Sequence, residues 1–241
     1  MEGSHEAIIA PEELEAGQEE MARRKELGRA YSDKAFHSKI ICGDCGGFYG
    51  RKVWHSTDAY KSVIFQCNRK FKNKDRCKTP NLTETEVRRR FLIAFNELMC
   101  DRKAVLADCE RIRQTLCDTS PIDAEIQRMN DEMAVMAKLM QAHIKKNASV
   151  AQSQEAYILE SERIENRYNA ALAHHNALEA ERGKRVNKGK ELQTFITMLK
   201  KQPLTVCEWD ERLWIMLLDT ATVQRNGKMV FRFKSGREIT A

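Results

Sequence analysis

The chain has 241 residues, room for one or two domains, with a formal charge of +6 and 32% charged residues. Its most apolar stretch, Leu213 to Leu218, is far short of the roughly 18 residues that a membrane span needs; it suits a buried helix, and no membrane partner is expected. No apolar signal stretch opens the chain, so a cytoplasmic, reducing location is expected and its eight cysteines are read as thiols.

In chain order, Pro11 opens a segment with acidic residues early and basic residues late, the polarity that a helix macrodipole favours; this predicts a helix to about Gly28. Residues 29–38 read as a linker. Lys39 to Ile41, Phe48 to Trp54 and Ser62 to Gln66 carry the β-branched and aromatic content of short strands.

Those strands hold two cysteine pairs, Cys42 with Cys45 and Cys67 with Cys77. Two thiolates two residues apart can turn onto one ion from a tight loop, and Gly43, Gly46 and Gly47 permit the backbone such a knuckle requires. The second pair closes a tetrahedron from a distant hairpin. Four cysteines leave no open position for a reacting water, so the expected cofactor is one structural zinc, substituting for a core that so short a ribbon lacks. His37 and His55 are rival fourth ligands, and a disulfide framework is the alternative use of the thiols. Cys100, Cys109, Cys117 and Cys207 lack ligand spacing and read as buried apolar side chains.

Positive charge concentrates on the same module. Residues 37–90 hold 13 basic and five acidic side chains, a local net of +8, so the rest of the chain nets to −2. That distribution suits phosphate binding, with a solvated basic face as the plain alternative. The candidate DNA-binding residues are Arg51, Lys52, Lys61, Arg69, Lys70, Lys72, Lys74 and Arg76.

Beyond the ribbon, Thr83 and Glu86 form a capping box ahead of apolar residues at helical spacing, predicting a helix of about 35 residues that stops near Asp118 to Pro121, with Ser120 as the next cap. Ile122, Ile126, Met129, Met133, Met136, Met140 and Ile144 then repeat in a coiled-coil rhythm. Lys145 to Gln154 reads as a tip, after which Tyr157, Ile164, Tyr168, Ala171, His175 and Leu178 recover a seam. The simplest solution is an antiparallel helical pair. The return helix runs towards Pro203, a shorter helix covers about Glu208 to Asp219, and Asn226-Gly227 between apolar runs signals a closing hairpin.

The expected fold class is therefore α+β: a zinc β-ribbon with long helices, an inserted antiparallel coiled-coil arm, and a C-terminal β-hairpin packed on the base. The expected divisions are 1–35 (helix and linker), 36–82 (zinc ribbon), 83–120 (connecting helix), 121–182 (arm) and 183–241 (return helix, short helix and hairpin).

The order of FHSKIICGDCGGFYGRK, FQCNRKF and DRCKTP, a heptad insertion, and EWDERLWIMLLDTATVQRNGKMVFRFKSGREI resembles the C-terminal half of a large serine recombinase. The resemblance implies a recombinase zinc ribbon with Cys42, Cys45, Cys67 and Cys77 as ligands, binding double-stranded DNA at an attachment half-site. It also implies a coiled-coil arm that governs self-association and synapsis. The family's catalytic serine sits among arginines in an N-terminal resolvase domain, and no serine here has that setting, so no catalytic residue is assigned and DNA cleavage is not expected of this chain. The alternative is a zinc-nucleated coiled-coil scaffold for protein contacts without specific DNA binding.

Overall fold

The computed structural model describes residues 35–54, 61–72, 77–151 and 153–241, with Leu14, Gly17, Gln18, Glu20, Met21, Ala22, Lys25, Thr57 and Ala59. Most of the expected N-terminal helix and of the 29–38 linker lies outside the described residues. The chain divides into two compact units, residues 1–111 with 191–241, and residues 112–190.

The first unit is built on two sheets. Strands β1 (Ile40–Cys42), β5 (Leu218–Val223), β6 (Met229–Phe233) and β7 (Glu238–Thr240) form one sheet in the order β1-β5-β6-β7. Strands β2 (Tyr49–Trp54), β3 (Ser62–Cys67) and β4 (Leu82–Thr83) form the other, all antiparallel. The β5–β6 hairpin turns at Asn226-Gly227 as expected, with Gly227 at φ +85°, a conformation that favours glycine. The sequence reading did not anticipate the parallel pairing of β1 with β5, which sets Ile40 beside Ala221 and Cys42 beside Val223.

Helix α1 (Glu84–Cys100) starts at Thr83, whose hydroxyl accepts from the Glu86 amide at 3.2 Å. The predicted 35-residue helix is in fact two: the run breaks at Asp101 and restarts as α2 (Arg102–Leu116). The break is anchored from outside, because the Asp101 carboxylate receives Arg237 at 2.5 Å while Arg102 donates to the carbonyls of Lys200 and Gln202. Those two oxygens lie at the end of a later helix, so Arg102 serves as its C-terminal cap.

The core of this unit is aromatic. Phe91 meets Trp214 at 5.2 Å between ring centroids and Phe231 at 6.1 Å, and Phe36 meets Trp214 at 5.0 Å and Phe65 at 5.2 Å. Leu192, Phe195, Ile196 and Leu199 add a fully buried face. Helix α5 (Glu211–Leu217) is shorter than expected: Asp210 caps it by accepting from the Arg212 amide, and Leu218 already begins β5. Lys39 is also buried here, its ammonium donating to the carbonyls of Ile215 and Leu218 at the end of α5, 3.8 Å from the Glu20 carboxylate.

In the second unit, α3 (Ser120–Ser149) and α4 (Gln154–Lys201, which ends in the first unit) run antiparallel over residues 120–190. Asp123 pairs with Arg182, Glu132 with Arg167, and His143 stacks on Tyr157 at 4.6 Å. Ile122, Ile126, Met129 and Met136 are buried along the seam with Ile164 and Ala171. Three local expectations are corrected. Thr119 rather than Ser120 is the N-cap, with Asp118 accepting from the Ser120 amide and hydroxyl. The helix continues through Lys145 to Ser149, where Lys145, Lys146 and Ala148 are good helix formers, leaving a tip of about four residues of which Gln152 is outside the described set. The seam ends on His143, and Ile144 is 51% exposed.

Candidate metal centre and basic face

Strand β1 delivers Cys42 into a tight turn. The Cys42 amide donates to the Gly47 carbonyl and the Gly46 amide to the Cys42 carbonyl, both at 2.8 Å, and Gly46 sits at φ +64°. Strand β3 ends on Cys67, where a second turn closes with the Lys70 amide donating to the Cys67 carbonyl at 3.1 Å. The chain returns at Cys77. Nine residues between the second pair do not prevent closure: the four sulfurs all lie within 4.8 Å of one another.

Thiolates about 2.3 Å from a tetrahedral zinc are about 3.8 Å apart. Cys45 and Cys67 are 3.5 Å apart and Cys67 and Cys77 3.9 Å, so the spacing fits such an ion. Among the described residues these cysteines are the cluster able to hold a metal, and His37 is not in it; His55 lies outside the described residues. All eight cysteines are free thiols, so the disulfide alternative is not adopted. Cys109 is buried as expected, whereas Cys100 and Cys207 are exposed and Cys117 is half-buried.

The electrostatics suit a cation. Burial opposes ionisation of Cys42, but hydrogen bonding from the Thr79 hydroxyl, 3.2 Å from its sulfur, and from the Cys45 and Asp44 amides outweighs it and brings that thiol to about 7. Burial and the neighbouring sulfurs push Cys77 up to about 11 and Cys67 higher still. Four packed thiols cannot all ionise alone, and a divalent cation removes that conflict.

Three residues that the sequence reading passed over complete the surroundings. Thr79 supplies the hydroxyl on Cys42, Tyr49 anchors the returning chain by donating to the Pro80 carbonyl at 2.8 Å, and Asp44 accepts from the Lys78 amide at 2.6 Å and from Arg225 at 2.5 Å. Burial raises the Tyr49 phenol well above its ordinary range, leaving it a donor.

The basic candidates separate into two groups. Arg51 and Lys52 are exposed on opposite faces of β2, whose outer end also exposes Val53 and Trp54, and Lys61, Arg69 and Lys72 are exposed as well. Lys70 is engaged internally, donating to the Thr79 carbonyl at 3.0 Å and to Asn81 at 3.1 Å. Lys74 and Arg76 lie outside the described residues. Part of the local positive excess is spent elsewhere: Lys39 is in the core, and Arg88 and Arg90 pair with Glu84 and Glu86. Among the described residues no helix is long and apolar enough to cross a membrane.

The chain is similar to the crystal structure of an LSR–DNA complex (LSR, large serine recombinase) with a TM-score of 0.30 and 15% identity, over 97% of this chain and 66% of that one. It therefore spans just under two thirds of that solved chain. No curated protein matches it. The family model of the recombinase zinc beta ribbon domain matches residues 35–95, a segment that includes the four clustered cysteines and the whole β2-β3-β4 sheet. Residues 35–95 thus match the recombinase zinc beta ribbon domain, the module expected from the resemblance to the C-terminal part of a serine recombinase.

Proposed function

We propose that this chain is the DNA-binding and subunit-contact portion of a serine recombinase acting in the cytoplasm, with Cys42, Cys45, Cys67 and Cys77 holding one structural zinc. The observation that carries this reading is the coincidence, within the family-matched segment, of a four-thiol cluster and an exposed basic ribbon. Zinc would staple β1, β3 and the chain returning at Cys77. The outer, two-stranded end of the β2–β3 hairpin, of a size that a DNA major groove admits, would then present Arg51, Lys52 and Lys61 to duplex DNA, with Arg69 and Lys72 on phosphates. Lys74 and Arg76 are assigned to the same phosphate face on sequence grounds, and Lys70 to its edge.

In this reading the ribbon module and the unit containing α3 divide the work. The first recognises one half of an attachment site, and the arm, with Val135, Leu139, Ile158 and Leu159 exposed, meets a second copy and influences synapsis. Strand cleavage belongs to a catalytic domain that this segment does not supply. The deciding experiment is a fluorescence anisotropy titration of the zinc-loaded chain with labelled attachment half-site and random-sequence duplexes over a range of salt. Tighter, salt-dependent binding to the half-site is expected. Absence of binding to either duplex would favour the protein-contact scaffold.

A further inference from the structure

We propose that Asp44 positions the metal ligands from the outer shell, and that through Arg225 it makes metal retention depend on the C-terminal β5–β6 hairpin, outside the family-matched residues 35–95. The inference rests on the reading of the four cysteines as a metal site. Asp44 lies between Cys42 and Cys45, and its side chain is only 8% exposed. Its two oxygens have different partners. Oδ2 accepts from the backbone amide of Lys78, the residue after Cys77, at 2.6 Å; Oδ1 accepts from Nε of Arg225 at 2.5 Å. One carboxylate therefore ties the loop of the first cysteine pair to the backbone beside the last cysteine, and both to a residue 181 positions further along the chain.

Other contacts fasten the hairpin to the same place. The Gly43 amide donates to the Val223 carbonyl at 2.9 Å, and Cys42 is in register with Val223 across the parallel β1–β5 pair. Arg90 donates to the Gly227 carbonyl, holding the turn from the α1 side. Arg225 is 67% exposed, so its bond to Asp44 is an outward strap over the knuckle rather than part of the core.

The charge balance gives the pair a chemical reason. Four thiolates around a divalent ion leave a net charge of −2, and Asp44 adds a further negative charge beside them. Arg225 offsets that charge and holds the carboxylate where it can orient the Lys78 amide. Outer-shell partners of this kind are worth about 10- to 100-fold in metal affinity when removed.

The test measures metal transfer from the full-length zinc-loaded chain to a competing chelator at neutral pH. Cobalt substitution reports tetrahedral thiolate ligation by its visible spectrum. Asp44→Asn and Arg225→Ala are each expected to lower retention by about 10- to 100-fold, and the double variant should lose less than the product of the two, since both remove one bracket. Lys228→Ala removes an equal charge from the same turn and should leave retention unchanged. If wild type binds no metal, the metal reading itself falls. If wild type binds metal but Asp44→Asn and Arg225→Ala behave like Lys228→Ala, or if their losses multiply, the bracket is refuted while the metal site stands. Should Asp44→Asn fail to fold, the exposed Arg225→Ala decides alone, with wild-type retention refuting the proposal.

Discussion

Gly43 and Val223 approach so closely that a Cβ on Gly43 would stand 2.8 Å from the Val223 carbonyl oxygen, the acceptor of the Gly43 amide. Backbone lies on both sides of this contact, so neither partner can rotate away. Gly43→Ala is therefore expected to destabilise the first unit by about 1–3 kcal/mol, the range for overpacking. Urea unfolding compared with wild type measures it, and a change within about 0.5 kcal/mol, ordinary for a surface site, would show that the two strands separate more easily than their geometry implies.

Metal binding should be strongly pH-dependent. Cys42 ionises at about 7, Cys77 at about 11 and Cys67 higher, so near neutral pH most of the protons displaced by an ion come from the thiols whose values are raised. Apparent affinity should rise with pH and fall steeply below about 7, where Cys42 is protonated as well. Near neutrality at least about two protons should be released per ion, read by calorimetry in buffers of different ionisation heat. Release of fewer than one would mean that the thiols are not the ligands.

The basic face predicts a salt signature. Lys52, Lys61, Arg69 and Lys72 are exposed, and replacing all four with alanine should weaken duplex binding and flatten the log–log salt dependence by about 0.9 per lost phosphate contact. Lys70→Ala should instead reduce stability, because its ammonium bonds to Thr79 and Asn81. An unchanged slope in the quadruple variant would remove the ribbon from the DNA interface.

Trp214 is fully buried, and its indole N–H donates to the Ala35 carbonyl at 2.9 Å. Trp214→Phe keeps much of the aromatic packing against Phe36 and Phe91 but orphans that carbonyl, at a cost of about 1–3 kcal/mol. The expected result is a lower thermal midpoint with unchanged metal content. Loss of metal along with stability would show that this core supports the cysteine cluster directly.

Local signals in the sequence were read well where one segment carries its own pattern. The four-and-three rhythm of Ile122 to Met140 led to the antiparallel pair, Thr83 to a real cap, and Asn226-Gly227 to a real hairpin. What was missed depends on distant partners. The pairing of Ile40 with Ala221 leaves no trace in either segment alone, and Asp101 breaks a good helical pattern because Arg237 lies within reach. Charge counting also overstated the positive charge that the ribbon exposes. Lys39 counts as +1 in the sequence but lies under α5, and Lys70 looks like its exposed neighbours until its internal acceptors are known.

The parallel β1–β5 pair has a consequence for how the protein is made. The partner of Ile40 is Ala221, so as the chain leaves the ribosome the knuckle strand emerges long before the strand that completes its sheet. Contacts so distant in sequence form slowly, and a strand edge awaiting its partner is open to wrong pairings. The cysteine loop is then exposed, with reactive thiols and no hairpin strapped across it, until Leu218–Val223 and the strands after it have been made. Assembly of the first unit should therefore wait for residues 218–241, and newly made chains should be most vulnerable to oxidation and aggregation in the interval before those residues arrive.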